Sequence, residues 1–92
     1  MNDKLSEIMN IAQEECAEVV QCISKVFRFG WESSNPRNPE YTNRMHLTEE
    51  VGDLLCMIDL MIKHGLVDDN KVYLARAAKE EKLKIWSTIY DW

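Results

Sequence analysis

The sequence predicts an all-α fold of three main helices per chain, completed into an antiparallel helical bundle by homo-oligomerisation. Three observations carry this. Apolar residues recur at i, i+3, i+4 and i+7 through three long segments, the period of an amphipathic helix. Gly, Pro, Asn and Asp cluster at the joints between those segments. No stretch alternates apolar and polar residues as a half-buried strand does.

The first helix is predicted over residues 3–29, where Leu5, Ile8, Met9, Ala12, Cys16, Val19, Val20, Ile23 and Phe27 keep the helical spacing. Gly30 is a natural stop. Residues 30–38, GWESSNPRN, have the composition of a loop. Asn38-Pro39-Glu40 reads as a cap followed by proline at the first helical position. The second helix is therefore predicted from about residue 40 to 64, with Gly65 just past its end. Asp68, Asp69 or Asn70 can cap a third helix over 69–85, leaving an aromatic-rich tail, WSTIYDW, at 86–92, as short helix or extended chain. The first two helices should pair antiparallel across the 30s loop. Three helices with two long apolar faces leave hydrophobic surface uncovered, and a second copy of the chain is expected to cover it.

A chain of 92 residues makes one domain, 1–92, with a modest core. With 46% apolar and 29% charged residues it has the composition of a globular protein rather than a disordered one. No apolar run is long enough to cross a membrane, and MNDKLSEIMN lacks a secretory pattern, so a cytoplasmic location is expected and no membrane partner. A net charge of −5 disfavours nucleic-acid binding, which needs clustered Lys and Arg. Cys16, Cys22 and Cys56 are odd in number and lack CxxC spacing, so they read as small buried core residues rather than a disulfide framework or zinc site.

Two acidic patterns stand out: Glu14-Glu15-x-x-Glu18 in the first helix and Glu50-x-x-Asp53 in the second. Residues three apart on a helix differ by about 60° around the axis, so each pair projects to one side. Ile11, Glu15, Glu18 and Cys22 form one row; His46, Glu50, Asp53, Met57 and Leu60 form the other. Both acidic pairs are bracketed mainly by apolar residues, whereas acids on a solvated face usually sit among other polar groups. Antiparallel pairing through these rows brings four carboxylates together. Like charges that lose hydration repel, and protonation, salt bridging or a divalent cation must offset that. Lys and Arg are scarce on these rows. Oxygen-only donors favour a hard ion such as Mg²⁺, Mn²⁺ or Ca²⁺; the Glu-x-x-His spacing of di-iron bundles and the Gly-containing loop of calcium hands are absent.

EExxE on one helix and ExxD on the next, here Glu14-Glu15-Cys16-Ala17-Glu18 and Glu50-Val51-Gly52-Asp53, resembles the MazG-type all-α nucleoside triphosphate pyrophosphohydrolases. The likeness covers roughly residues 8–64 and is weaker through the third helix. It implies cleavage between the α- and β-phosphates of a nucleoside or deoxynucleoside triphosphate, giving the monophosphate and pyrophosphate. It implies Mg²⁺, with Mn²⁺ as a possible substitute, held by Glu15, Glu18, Glu50 and Asp53. Glu14 and Glu15 become the candidate catalytic acids, Glu14 helping to bind a second ion or to orient the attacking water. The resemblance also implies a homodimer or homotetramer.

The chemistry also asks for cations on the phosphates: Lys25 continues the acidic row past Cys22, and Arg76, Lys79 and Lys82 lie on the third helix. Trp31 and His46 are candidates for contact with the base, as are Trp86, Tyr90 and Trp92 in the tail. The competing readings are a non-catalytic helical dimerisation or adaptor module, for which Glu50 and Asp53 would face solvent, and a metal-binding protein without hydrolase activity.

Overall fold

The computed structural model describes residues 2–91 and is all-helical: α1 spans Asp3–Phe29, α2 spans Asn43–Lys63 and α3 spans Asp69–Trp86. Among the described residues there is no strand, only an isolated bridge between Ser34 and Thr42. Trp92 lies outside the described residues.

Each helix starts on a side-chain cap. Asn2 accepts from the Leu5 amide at 2.9 Å, Thr42 from that of Met45 at 3.2 Å and Asp68 from that of Lys71 at 2.9 Å. These bonds satisfy amides that the first helical turn leaves free. Gly30 stops α1 with φ of 96°. Past α2, the amide of Gly65 (φ 72°) donates to Ile62 and that of Leu66 to Met61, the paired bonds of a Schellman ending.

The start of α2 differs from the sequence expectation. Asn38 does not cap it and Pro39 is not its first residue. The Tyr41 amide donates to the Asn38 carbonyl, which closes a turn over 38–41 with Pro39 at its second position. A proline's fixed φ suits that position as well as it suits a helix start. The loop is tied to α2: the Asn43 amide donates to Ser33, that of Arg44 to Trp31, and the Asn43 side chain to the Gly30 carbonyl.

α1 and α2 form the antiparallel hairpin the sequence predicts. Ile8 and Ala12, early in α1, pack with Met57, late in α2, and Ile11, Leu60, Met61 and Leu66 close around them. Cys22 and Val26 are buried further along. The burial is narrower than periodicity predicts, since Met9, Val20, Ile23 and Phe27 are exposed. The cysteines divide likewise: Cys22 is buried, whereas Cys16 and Cys56 lie on the surface, contrary to the expectation of three core thiols. Two adjacent apolar rows run along α1, and α2 covers only one.

α3 stands apart. It has no buried residue, and only α1 and α2 pack extensively against each other. The chain measures 43 × 40 × 15 Å. Its radius of gyration is 16.4 Å, against about 12 Å for a compact chain of this length. No helix among the described residues is long and apolar enough to cross a membrane.

Candidate metal and nucleotide site

The hairpin seam brings the two acidic motifs together. Ligand atoms of Glu15, Glu50 and Asp53 lie within 4.8 Å of one another, and those of Glu18, His46 and Glu50 do the same. Glu50 belongs to both sets. The register explains this: α1 contributes Glu15 and Glu18 one turn apart, and α2 runs the other way with His46, Glu50 and Asp53 on successive turns. Glu14 belongs to neither set and is exposed.

The electrostatics are those of crowded acids. Glu15 Oε2 is shut off from solvent and has no hydrogen-bond partner among the described residues. Loss of water raises the Glu15 carboxyl above its usual 4.5, and contact with Glu50 followed by repulsion from Glu50, Asp53 and Glu18 pushes it the same way. His46 Nε2 stands 3.4 Å from Glu50 Oε1, and both side chains are largely covered. Beside them, burial and then the Glu50 charge raise the Cys22 thiol, which suits a packed core cysteine rather than a nucleophile.

A cleft of 570 Å³ opens next to the carboxylates, between the end of α1, the 33–38 loop and the start of α2. That volume is in the range of small-molecule sites. Lys25, Phe29, Arg37, Tyr41 and His46 stand on its walls, and His46 belongs both to the cleft and to the acidic group. No carboxylate lines the cleft itself. Tyr41 donates its hydroxyl to Glu49, and that bond, with partial burial, pushes its phenol up to about 12. Its ring centroid lies 5.4 Å from that of His46.

The other sequence candidates stand elsewhere. Trp31 carries the Arg44 guanidinium 5.2 Å above its ring and does not line the cleft. Arg76 and Lys79 border a separate 530 Å³ groove between α3 and Tyr90. Lys82 and Trp86 are exposed on α3. Within one chain, Lys25 and His46 are thus the substrate-contact candidates that share a cleft beside the acids. Phe29, Arg37 and Tyr41 were not singled out from sequence. They join the site through the path of the loop, and the one local sign is an Asn- and Pro-rich connection between aromatic residues.

No family model matches the chain, and neither a curated protein nor a solved structure is similar enough to it to show a family.

Proposed function

We propose that the protein is a Mg²⁺-dependent nucleoside or deoxynucleoside triphosphate pyrophosphohydrolase of the MazG-like type, working as a homodimer or homotetramer. The observation that carries this reading is the convergence of Glu15, Glu18, Glu50 and Asp53 across one seam, with a buried, unpartnered oxygen on Glu15. An all-oxygen set of that kind fits a hard divalent cation. It is costly without one, since like charges that lose water repel.

Glu15, Glu18, Glu50 and Asp53 would hold the cation, which would supply charge neutralisation on the substrate's phosphate oxygens. The chain supplies the rest. The carboxylates hold the ion. Glu14, outside both ligand sets, is free to orient a water. Lys25 offers positive charge to departing pyrophosphate. The cleft has room for the base and sugar, with His46 and the loop along its wall. This reading places the protein in the cytoplasm, where nucleoside triphosphates circulate.

The adaptor reading asks that Glu50 and Asp53 face solvent. Asp53 is exposed, but the Glu50 side chain keeps only 16% of its surface.

The test is a panel of nucleoside and deoxynucleoside triphosphates incubated with the protein, with Mg²⁺ or with EDTA. Monophosphate and pyrophosphate should appear with the metal alone. A panel without metal-dependent pyrophosphate release overturns the assignment.

A further inference from the structure

The 33–38 loop presents a cation to the cleft that the metal chemistry leaves unused. Arg37 sits in a turn fastened twice at Asn35: the Asn38 amide donates to the Asn35 carbonyl at 2.8 Å, and the Arg37 amide donates to Asn35 Oδ1 at 2.9 Å. The Ser34 hydroxyl donates to the Pro39 carbonyl at 2.9 Å and ties the same loop again. The backbone that carries Arg37 is therefore fixed. Its guanidinium stands on the cleft wall and has no hydrogen bond or ion pair among the described residues. Arg44 shows the contrast, since Glu32 holds it at 2.7 Å outside the cleft.

The balance of donors and acceptors around Arg37 is uneven. No carboxylate lines the cleft, and two acids close to it in the chain are engaged elsewhere, Glu32 with Arg44 and Glu49 with the Tyr41 hydroxyl. Asn35 gives its side-chain oxygen to the Arg37 amide and keeps its NH₂ group. The acceptors that remain are neutral amide and hydroxyl oxygens, among them the Asn38 amide, which has no partner among the described residues. An amide can turn to donate or to accept, so Asn38 alone selects nothing. Arg37 is a donor only and does not lose its proton. It can face an acceptor on a ligand but not another donor.

We propose that Arg37 is a specificity-determining residue of this cleft, whose guanidinium reads a ring carbonyl, so that the cleft takes keto bases of the uracil and hypoxanthine kind in preference to the amino bases cytosine and adenine. The proposal rests on the nucleotide part of the proposed function and not on its hydrolytic step. A keto base presents C=O beside N–H: Arg37 donates to the carbonyl, and the Asn38 amide oxygen accepts from the ring N–H. An amino base presents NH₂ at the carbonyl's place, donor against donor. The layout favours a base at this end rather than the phosphate chain. By helical rise Lys25 lies about 10 Å along α1 from Glu18, and Phe29 about 6 Å further. Phosphates held at the acids therefore meet Lys25 first. The rings of Phe29 and Tyr41, farther out, offer stacking surface that suits a base and does nothing for a phosphate.

Matched nucleotides isolate that one position of the base: uridine against cytidine, and inosine against adenosine. With Mg²⁺, kcat/KM for the triphosphates should favour the keto member of each pair by about tenfold. Arg37→Gln, whose amide can donate or accept, should bring both ratios to within about twofold of unity, chiefly by lowering the keto substrates. Arg37→Glu should turn both ratios toward the amino member. Helix content by circular dichroism should not change, because the Arg37 side chain has no partner in the fold. Binding gives a readout without turnover. By calorimetry with Mg²⁺, uridine monophosphate should bind about tenfold more tightly than cytidine monophosphate, and Arg37→Gln should cancel the difference. Inorganic tripolyphosphate should bind the wild type and Arg37→Gln alike. Equal affinities for the two monophosphates overturn the proposal. So does an equal loss on both members of each pair in Arg37→Gln together with weaker tripolyphosphate binding, which puts Arg37 on the phosphates. Hydrolysis without a keto preference leaves the hydrolase reading and removes the base selection; selective monophosphate binding without hydrolysis does the reverse; neither binding nor hydrolysis overturns both.

Discussion

Glu15 and Glu50 face each other across the α1–α2 seam, with ligand atoms that fall, together with one from Asp53, within 4.8 Å. No base is grouped with Glu15, Glu50 and Asp53; His46 is grouped with Glu50 and Glu18 instead, 3.4 Å from Glu50. Two carboxylates so placed cannot both be charged without strain unless an ion or a proton sits between them.

The first prediction concerns the metal-free protein. Glu15 titrates above 4.5 in the fold, so the native state holds its proton more tightly than the unfolded chain does. Its contribution to stability is complete below pH 4.5 and is lost as pH rises through the folded value. At neutral pH the charged group therefore destabilises. In EDTA at pH 7, Glu15→Gln should melt a few degrees above the wild type, and the difference should shrink toward pH 4.5. A lower melting temperature for the variant at pH 7 contradicts the crowded-acid account. Adding Mg²⁺ should raise the wild type by mass action and leave the variant nearly still.

Activity should follow the donors. Glu50→Gln and Asp53→Asn keep shape and remove charge, and amides hold hard cations weakly. Each should lower kcat/KM for a triphosphate by at least about 100-fold, with helix content retained. Glu50, shared by both ligand sets, should be the more severe. Full activity in both variants would remove the acids from the chemistry.

How far this was legible in sequence depends on the residue. The spacing of Glu15 with Glu18 and of Glu50 with Asp53 gave away a shared side on each helix, because helical geometry is local. Gly30 and Gly65 marked two ends, since both adopt the positive φ that favours glycine. Pro39 misled, because proline fits a turn and a helix start equally well, and only the tertiary path of the loop decides. Periodicity put Val20 and Phe27 on the apolar side of α1, but it does not report what covers that side, and both are exposed in the single chain. The cleft was illegible: Phe29 and Tyr41 line one cleft because the loop is tied back onto α2.

The cap of α2 offers a direct check on that loop. Thr42 accepts from the Met45 amide, and Thr42→Ala should cost about 1 kcal/mol. That corresponds to a fall in Tm of roughly 4–8 °C for a domain of this size. Asn38→Ala removes a side chain with no hydrogen bond among the described residues, and should change stability by less than about 0.5 kcal/mol. The reverse ranking, measured by thermal denaturation at one protein concentration, would put the helix start back at Asn38.

Substrate contacts should separate from metal contacts in the kinetics. Lys25 lines the cleft but belongs to neither ligand set, so Lys25→Met leaves the carboxylates in place. Its charge can act on phosphate in the bound substrate, on pyrophosphate as it leaves, or on both. Ground-state binding alone would raise KM with kcat unchanged; a role in departure lowers kcat as well. A loss on the order of 10-fold or more in kcat/KM is expected, since a charged hydrogen bond to phosphate contributes about 1.5–3 kcal/mol. Arg76→Met, on the separate groove beside Tyr90, acts as the comparison. If the cleft holds the nucleotide within one chain, Lys25→Met is the more damaging change. A larger loss with Arg76→Met would mean that α3 of another copy reaches the acids and supplies the charge that Lys25 was assigned.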